Sequence, residues 1–133
     1  MQRDELINSL DRKRLFKDLD FSGTPPDHLA RLRARLFTAR PIPPHQVPPD
    51  LVTMNSVIQM EDLDLGLQET FALVYPSNTD RSDTHLRVGT HLGSAIFARW
   101  VGEEITFQGR RRQQRVRITA LEYQPEAAGA YTQ

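Results

Sequence analysis

Arg31, Arg33, Arg35 and Arg40 follow one another with no acid after Asp27, and Gly109 is followed by Arg110, Arg111 and Arg112, with Arg115 and Arg117 beyond. Guanidinium groups form bidentate pairs with carboxylate and phosphate, so each cluster is a candidate contact to an acidic protein surface or to a nucleic-acid backbone. Arginines on the exposed face of an element are also ordinary, and near a helix C-terminus they complement the helix dipole. Strand alternation places Arg115 and Arg117 opposite Val116 and Ile118, leaving only the triple run in excess of a plain solvent face. No aromatic residue interrupts that run, so it makes a poor stacking platform for single strands, and any nucleic-acid contact there is weak.

The other reactive types are sparse. His28, His45, His85 and His91 are scattered without ligand spacing, and the chain has no cysteine, so neither a metal set nor a thiolate nucleophile is assembled. The serines lack a Gly-x-Ser-x-Gly context, and there is no glycine-rich phosphate loop. These residues compose no self-contained enzyme and imply no cofactor or small-molecule substrate. Phe71, Tyr75, Phe97, Trp100, Phe107 and Tyr123 are spaced as interior positions, although the same six could line a peptide pocket.

The elements that must position these groups change character along the chain. Leu15, Phe16 and Leu19 recur at helical spacing, and Ser9 is placed to cap a helix over about Leu10 to Leu19. Pro25, Pro26 and Asp27 open a second helix carrying Leu29, Leu32, Leu36 and Phe37, which stops before Pro41. The Gly23 turn between them predicts a short antiparallel hairpin, coiled-coil-like, over residues 1–40. Residues 41–50 contain five prolines, which predicts a stiff extended linker and a domain boundary. Period-two patterning then predicts strands over 51–60, 69–75, 85–88, 104–108 and 115–123. Leu92, Ala95, Ile96 and Trp100 predict one covering helix between them. The fold class is α+β: a helical hairpin followed by a bent antiparallel sheet with one short helix over residues 51–133. Residues 50–133 are expected to fold without the hairpin, and residues 1–40 are not expected to fold alone.

A chain of 133 residues with a formal charge of zero has no global field to draw it toward nucleic acid or membrane. No apolar stretch approaches the roughly 20 residues that cross a bilayer, and the polar start is no signal peptide. A cytoplasmic protein is expected.

Four blocks carry a resemblance: Val52-Thr53-Met54-Asn55-Ser56, Phe71-Ala72-Leu73-Val74-Tyr75-Pro76, Leu92-Gly93-Ser94-Ala95, and Glu122 to Tyr131. In that order they resemble the bacterial Rnk family, the regulators of nucleoside diphosphate kinase, related to the Gre transcript-cleavage factors. The resemblance covers residues 51–131 and implies an FKBP-like C-terminal domain. It also implies a non-catalytic regulator of transcription elongation that binds RNA polymerase near its secondary channel and competes with Gre-type factors. By the same resemblance Gly89, Thr90 and His91 form the polymerase-contacting loop, with Thr90 and His91 where the family has Ser-Pro. Gre factors carry magnesium-holding acids at the tip of a long coiled coil, which makes Asp18 and Asp20 the matching candidates. Helices of roughly 10 and 14 residues give an arm of only about 15 to 20 Å, short of that reach. A cleavage-stimulating factor using Asp18 and Asp20, and an FKBP-like peptide-binding module, are the alternative readings.

Overall fold

The computed structural model describes residues 4–78, 82–109 and 111–131. Strand β1 (Leu6–Asn8) leads directly into helix α1 (Ser9–Asp18), and helix α2 (Asp27–Thr38) leads into strand β2 (Arg40–Ile42). The cap of α1 is Asn8 rather than the expected Ser9: the Asn8 side chain accepts the Leu10 N–H at 2.9 Å, leaving Ser9 as the first helical residue. Pro26 precedes α2, where its missing N–H costs nothing.

The two short strands pair in parallel, Leu6 opposite Arg40 and Asn8 opposite Ile42. Parallel neighbours require a crossover, so this N-terminal part is a β–α–α–β unit, where the sequence suggested an antiparallel helical hairpin alone. The helices do touch: Phe16 and Phe37 lie 5.0 Å apart, and Arg12 Nε donates to the Leu36 carbonyl at 2.7 Å. Their apolar stripes, however, are not spent on each other. Leu15, Leu32 and Leu36 are buried in one core with Ile58, Met60, Leu73, Ile96, Phe97, Val116 and Ile118.

The proline-rich segment is extended in part and is anchored at Ile42 and Val47. Pro41 sits in the short β2 strand, Pro44–Gln46 form a 3-10 turn, and Val47 packs on a second small cluster of Leu6, Ile42, Leu51 and Trp100. Proline tolerates both places because a two-stranded edge and a first helical turn leave N–H groups unused.

Beyond it, β3 (Val57–Asp62), β4 (Leu67–Val74), β5 (His85–Arg87), β6 (Glu104–Gln108) and β7 (Gln113–Tyr123) form a sheet in the order β5-β4-β3-β7-β6. Register shifts between β3 and β7 at Val57/Ile58 and Gln59/Met60 are bulges that curl it. The sheet is mixed, since β5 runs parallel to β4 with Leu86 opposite Leu73; an all-antiparallel sheet was expected. Residues 51–56 are not strand. Asn55 adopts a left-handed φ of 65°, and Ser56 N–H closes a turn on Thr53, so β3 begins only at Val57.

Helix α3 (His91–Ile96) covers the sheet. It ends four residues before Trp100, because Ala98 turns left-handed at φ 60° and Trp100 pairs with Leu51 as an isolated bridge. No helix among the described residues is long and apolar enough to cross a membrane.

Candidate partner-docking site

The loop from Val88 to His91 joins an edge strand to α3, and its shape follows from local hydrogen bonds. Val88 is buried and donates its N–H to Val74. Thr90 caps α3: its Oγ1 accepts the Gly93 N–H at 3.0 Å and donates to the Arg87 carbonyl at 2.7 Å. Glycine is required at 93, since a Cβ there would stand 2.1 Å from the Arg87 oxygen. Thr90 and His91 themselves are exposed.

Helix α2 clamps this element at both ends. Near the start of α3, His28 Nε2 lies 2.9 Å from the Gly89 carbonyl, and its ring stacks on His91 with centroids 4.0 Å apart. Near the end, Arg35 donates to the Ser94 carbonyl at 3.0 Å and to the Phe97 carbonyl, groups that the finishing helix leaves unpaired. Burial pushes the Arg35 guanidinium down to about 10 and nearby Arg99 adds to this, while Glu5 and Glu103 oppose it. Arg35 stays charged at neutral pH and is committed to holding α3, so it is not the free basic contact its helix spacing suggested. His28 was absent from the sequence-based candidates. The signal was its spacing of four from Leu32 and eight from Leu36, which puts it on the buried face of α2.

The remaining arginines separate by neighbour. Arg31 is exposed and makes no hydrogen bond or ion pair among the described residues, whereas Arg33 lies over the Phe37 ring. Arg111 and Arg112 are exposed in the β6–β7 turn, and Arg110 falls outside the described residues. Arg115 pairs with Asp64 at 3.3 Å and Arg117 pairs with Glu104, which neutralises the strand beyond the triple run.

Asp18 and Asp20 are exposed at the end of α1. The Asp20 carboxylate accepts the Ser22 N–H and hydroxyl, which hold its pKa below the usual range and close a local turn. Among the described residues no group of three or more His, Asp or Glu is placed to hold a metal ion. Of the six aromatics that could have lined a peptide pocket, Phe97 and Trp100 are buried, and Phe71, Tyr75 and Phe107 pack against the core.

Deeper in the fold lies a polar network that sequence reasoning missed. Asp11 is buried on the inner side of α1 and accepts the Met54 N–H at 3.0 Å and the Tyr75 hydroxyl at 3.1 Å. Glu126, also buried, accepts Asn8 Nδ2 at 2.6 Å and the Thr53 hydroxyl at 2.7 Å. Burial raises Asp11 to about 7; the Met54 N–H opposes this, Glu126 reinforces it, and Tyr75 and Arg14 oppose it. The Tyr75 hydroxyl is raised in turn by burial and by the Asp11 charge. The network ties α1 to the segment before β3 and to the C-terminal turn. The sequence did hold a signal, since Asp11 stands four residues before Leu15 on the apolar stripe.

A curled mixed sheet with one short capped helix and an N-terminal helical unit is an α+β fold of the GreA/GreB kind. Residues 47–123 match the family described as transcription elongation factor, GreA/GreB, C-terminal. The chain is 35% identical over 130 residues to the regulator of nucleoside diphosphate kinase of Escherichia coli (strain K12), covering 95% of this chain and 94% of that protein. It belongs to the family of regulators of nucleoside diphosphate kinase, within the GreA/GreB group. Among solved structures it is similar to a prokaryotic transcription elongation factor GreA/GreB from Nitrosomonas europaea, with a TM-score of 0.72 and 30% identity over 92% of this chain and 100% of that one. Thermus aquaticus Gfh1 shares the fold, at a TM-score of 0.50 and 15% identity over 92% of this chain and all of that one.

Proposed function

We propose that this protein is a non-catalytic, cytoplasmic regulator of transcription elongation that binds RNA polymerase near its secondary channel through Gly89, Thr90 and His91, and so competes with Gre-type factors. The observation that carries the reading is the double clamp of α2 on α3. It fixes an exposed loop at Gly89 through His28 and at the far end of the helix through Arg35. A preorganised loop loses less freedom on docking than a free one, which favours its use as a contact. Membership of a family described as elongation factors supplies the partner class.

His91 is the better residue to test, because Thr90 is needed as the cap and its loss would cost about 0.5–2 kcal/mol of stability. His91→Glu is expected to weaken polymerase binding at least tenfold, with folding retained. The control is Gln68→Glu on the exposed part of β4. Equal polymerase affinity of the His91 variant and the wild type, with matching melting curves, would remove the loop from the interface.

Transcript cleavage is the rival activity. Asp20 is engaged by Ser22 and the helices lie along the core, so the pair Asp18 and Asp20 is not offered at the tip of a projecting arm. The purified protein is expected to leave backtracked transcripts uncleaved. Robust cleavage that disappears in an Asp18→Asn, Asp20→Asn double variant would reverse this reading.

A further inference from the structure

We propose that the cleft between α2, α3 and the β6–β7 hairpin is a binding site for a small phosphorylated ligand with a planar part, of the chemistry of a mononucleotide. The cleft has a volume of about 330 Å³, at the lower end of the range that holds small molecules. One wall is basic, carrying His28, Arg31, His91 and Arg99, with Asp27 the one carboxylate on it. Arg31 is the group available to a phosphate. Arg35 is spent on the carbonyls of α3, and Arg99 donates to the Ala95 carbonyl and lies 3.9 Å from Glu103. A guanidinium fork without a partner matches two phosphate oxygens. Beside it the His28 ring keeps a buried Nδ1 with no hydrogen-bond partner among the described residues.

The other side of the cleft has a different chemistry. Ile105 and Phe107 supply apolar surface, and Thr106, Gln108 and Gln113 supply hydroxyl and amide groups that both donate and accept. A bare inorganic anion uses only the basic wall. A ligand with a phosphate at one end and a flat ring bearing hydrogen-bonding edges at the other uses both. A long nucleic-acid strand fits less well, because Arg115 and Arg117 beyond the cleft are already paired with Asp64 and Glu104. The site adjoins the loop assigned to docking through His91, but its occupancy by ligand does not depend on that assignment.

The test is calorimetric titration of the full chain with ADP and, separately, with inorganic phosphate and a short single-stranded RNA, without polymerase present. ADP is expected to bind saturably and at least tenfold more tightly than inorganic phosphate. Arg31→Gln should weaken ADP at least tenfold without moving the melting temperature, since Arg31 is exposed and has no partner among the described residues. In NMR spectra ADP should shift His91 and Phe107 and leave the exposed Leu65 in place. No saturable ADP binding, ADP no tighter than phosphate, undiminished affinity in Arg31→Gln, or displacement of ADP by an RNA that binds more tightly would each overturn the proposal. Because polymerase is absent, failure here leaves the docking assignment standing, and failure of docking leaves this one.

Discussion

A chain cut to residues 50–133 is expected to lose cooperative folding, although the five prolines before it read as a boundary. Ile7, Leu15, Leu19, Leu32, Leu36 and Ala39 all lie in the same core as the sheet and α3, and Leu15 and Leu36 are fully buried. Each large apolar side chain taken out of water is worth about 1.5–3 kcal/mol. Removing this set, and exposing the faces of Ile96, Phe97 and Ile58 that it covers, withdraws on the order of 10 kcal/mol. A whole domain has only about 5–15 kcal/mol of net stability. The truncated chain also loses Asn8 and Asp11, taking from Glu126 one of its two donors and from the Met54 N–H its acceptor, and abandoned buried polar groups cost about 1–3 kcal/mol each. Circular dichroism melting of the truncated and full chains decides the matter. A sharp transition in the truncated chain, within a few degrees of the full one, would show the sheet and α3 to be self-sufficient.

That expectation reverses the one drawn from sequence, and the reason is physical. Proline reports on local backbone, and it correctly marked where helix gives way to strand; it carries no information on whether the surfaces before and after it share a core. The four later strands read from alternation fell close to their places because period-two patterning is a direct consequence of one buried face, whereas the first was read six residues too early. Leu6-Ile7-Asn8 was too short to register as a strand, yet its parallel pairing with β2 is what folds the two helices back. Trp100 satisfied the helical spacing of α3 while serving in a bridge to Leu51, since spacing cannot see the left-handed turn at Ala98. The loop proposed for docking was legible only through resemblance; spacing placed His28 on the buried face of α2, but not what it would hold. His28 and Arg35 act on carbonyl oxygens of Gly89, Ser94 and Phe97, and a carbonyl has no sequence signature. The blocks that carried the resemblance include Thr53, Met54 and Glu126, which build the buried network. Those motifs therefore mark how the fold is tied together.

The second large effect concerns that network and its response to pH. Asp11 titrates near 7 in the folded chain against an ordinary value of 3.8. Between those values the folded state holds a proton that the unfolded state has released, so stability is fully present below about 3.8, falls as pH rises toward 7, and levels off above it. From pH 5 to pH 8 this single group is expected to cost on the order of 2 to 3 kcal/mol, or on the order of 10 °C in melting temperature. The groups facing Asp11 set the size of the effect: Glu126 raises its pKa, while Arg14, the Met54 N–H and the Tyr75 hydroxyl restrain it. Asp11→Asn keeps an oxygen for the Met54 N–H and offers an amide to the Tyr75 oxygen, which accepts as well as donates. The variant should therefore fold, lose most of the decline between pH 5 and 8, and exceed the wild type in stability at pH 8. The comparison is between the two slopes and not the absolute curve. Parallel pH profiles for wild type and Asp11→Asn, measured by urea denaturation at each pH, would place the sensitivity outside this carboxylate. A further drop from Glu126→Gln toward a pH-independent profile would instead tie it to the pair, because removing the neighbouring charge lets Asp11 ionise more easily in place.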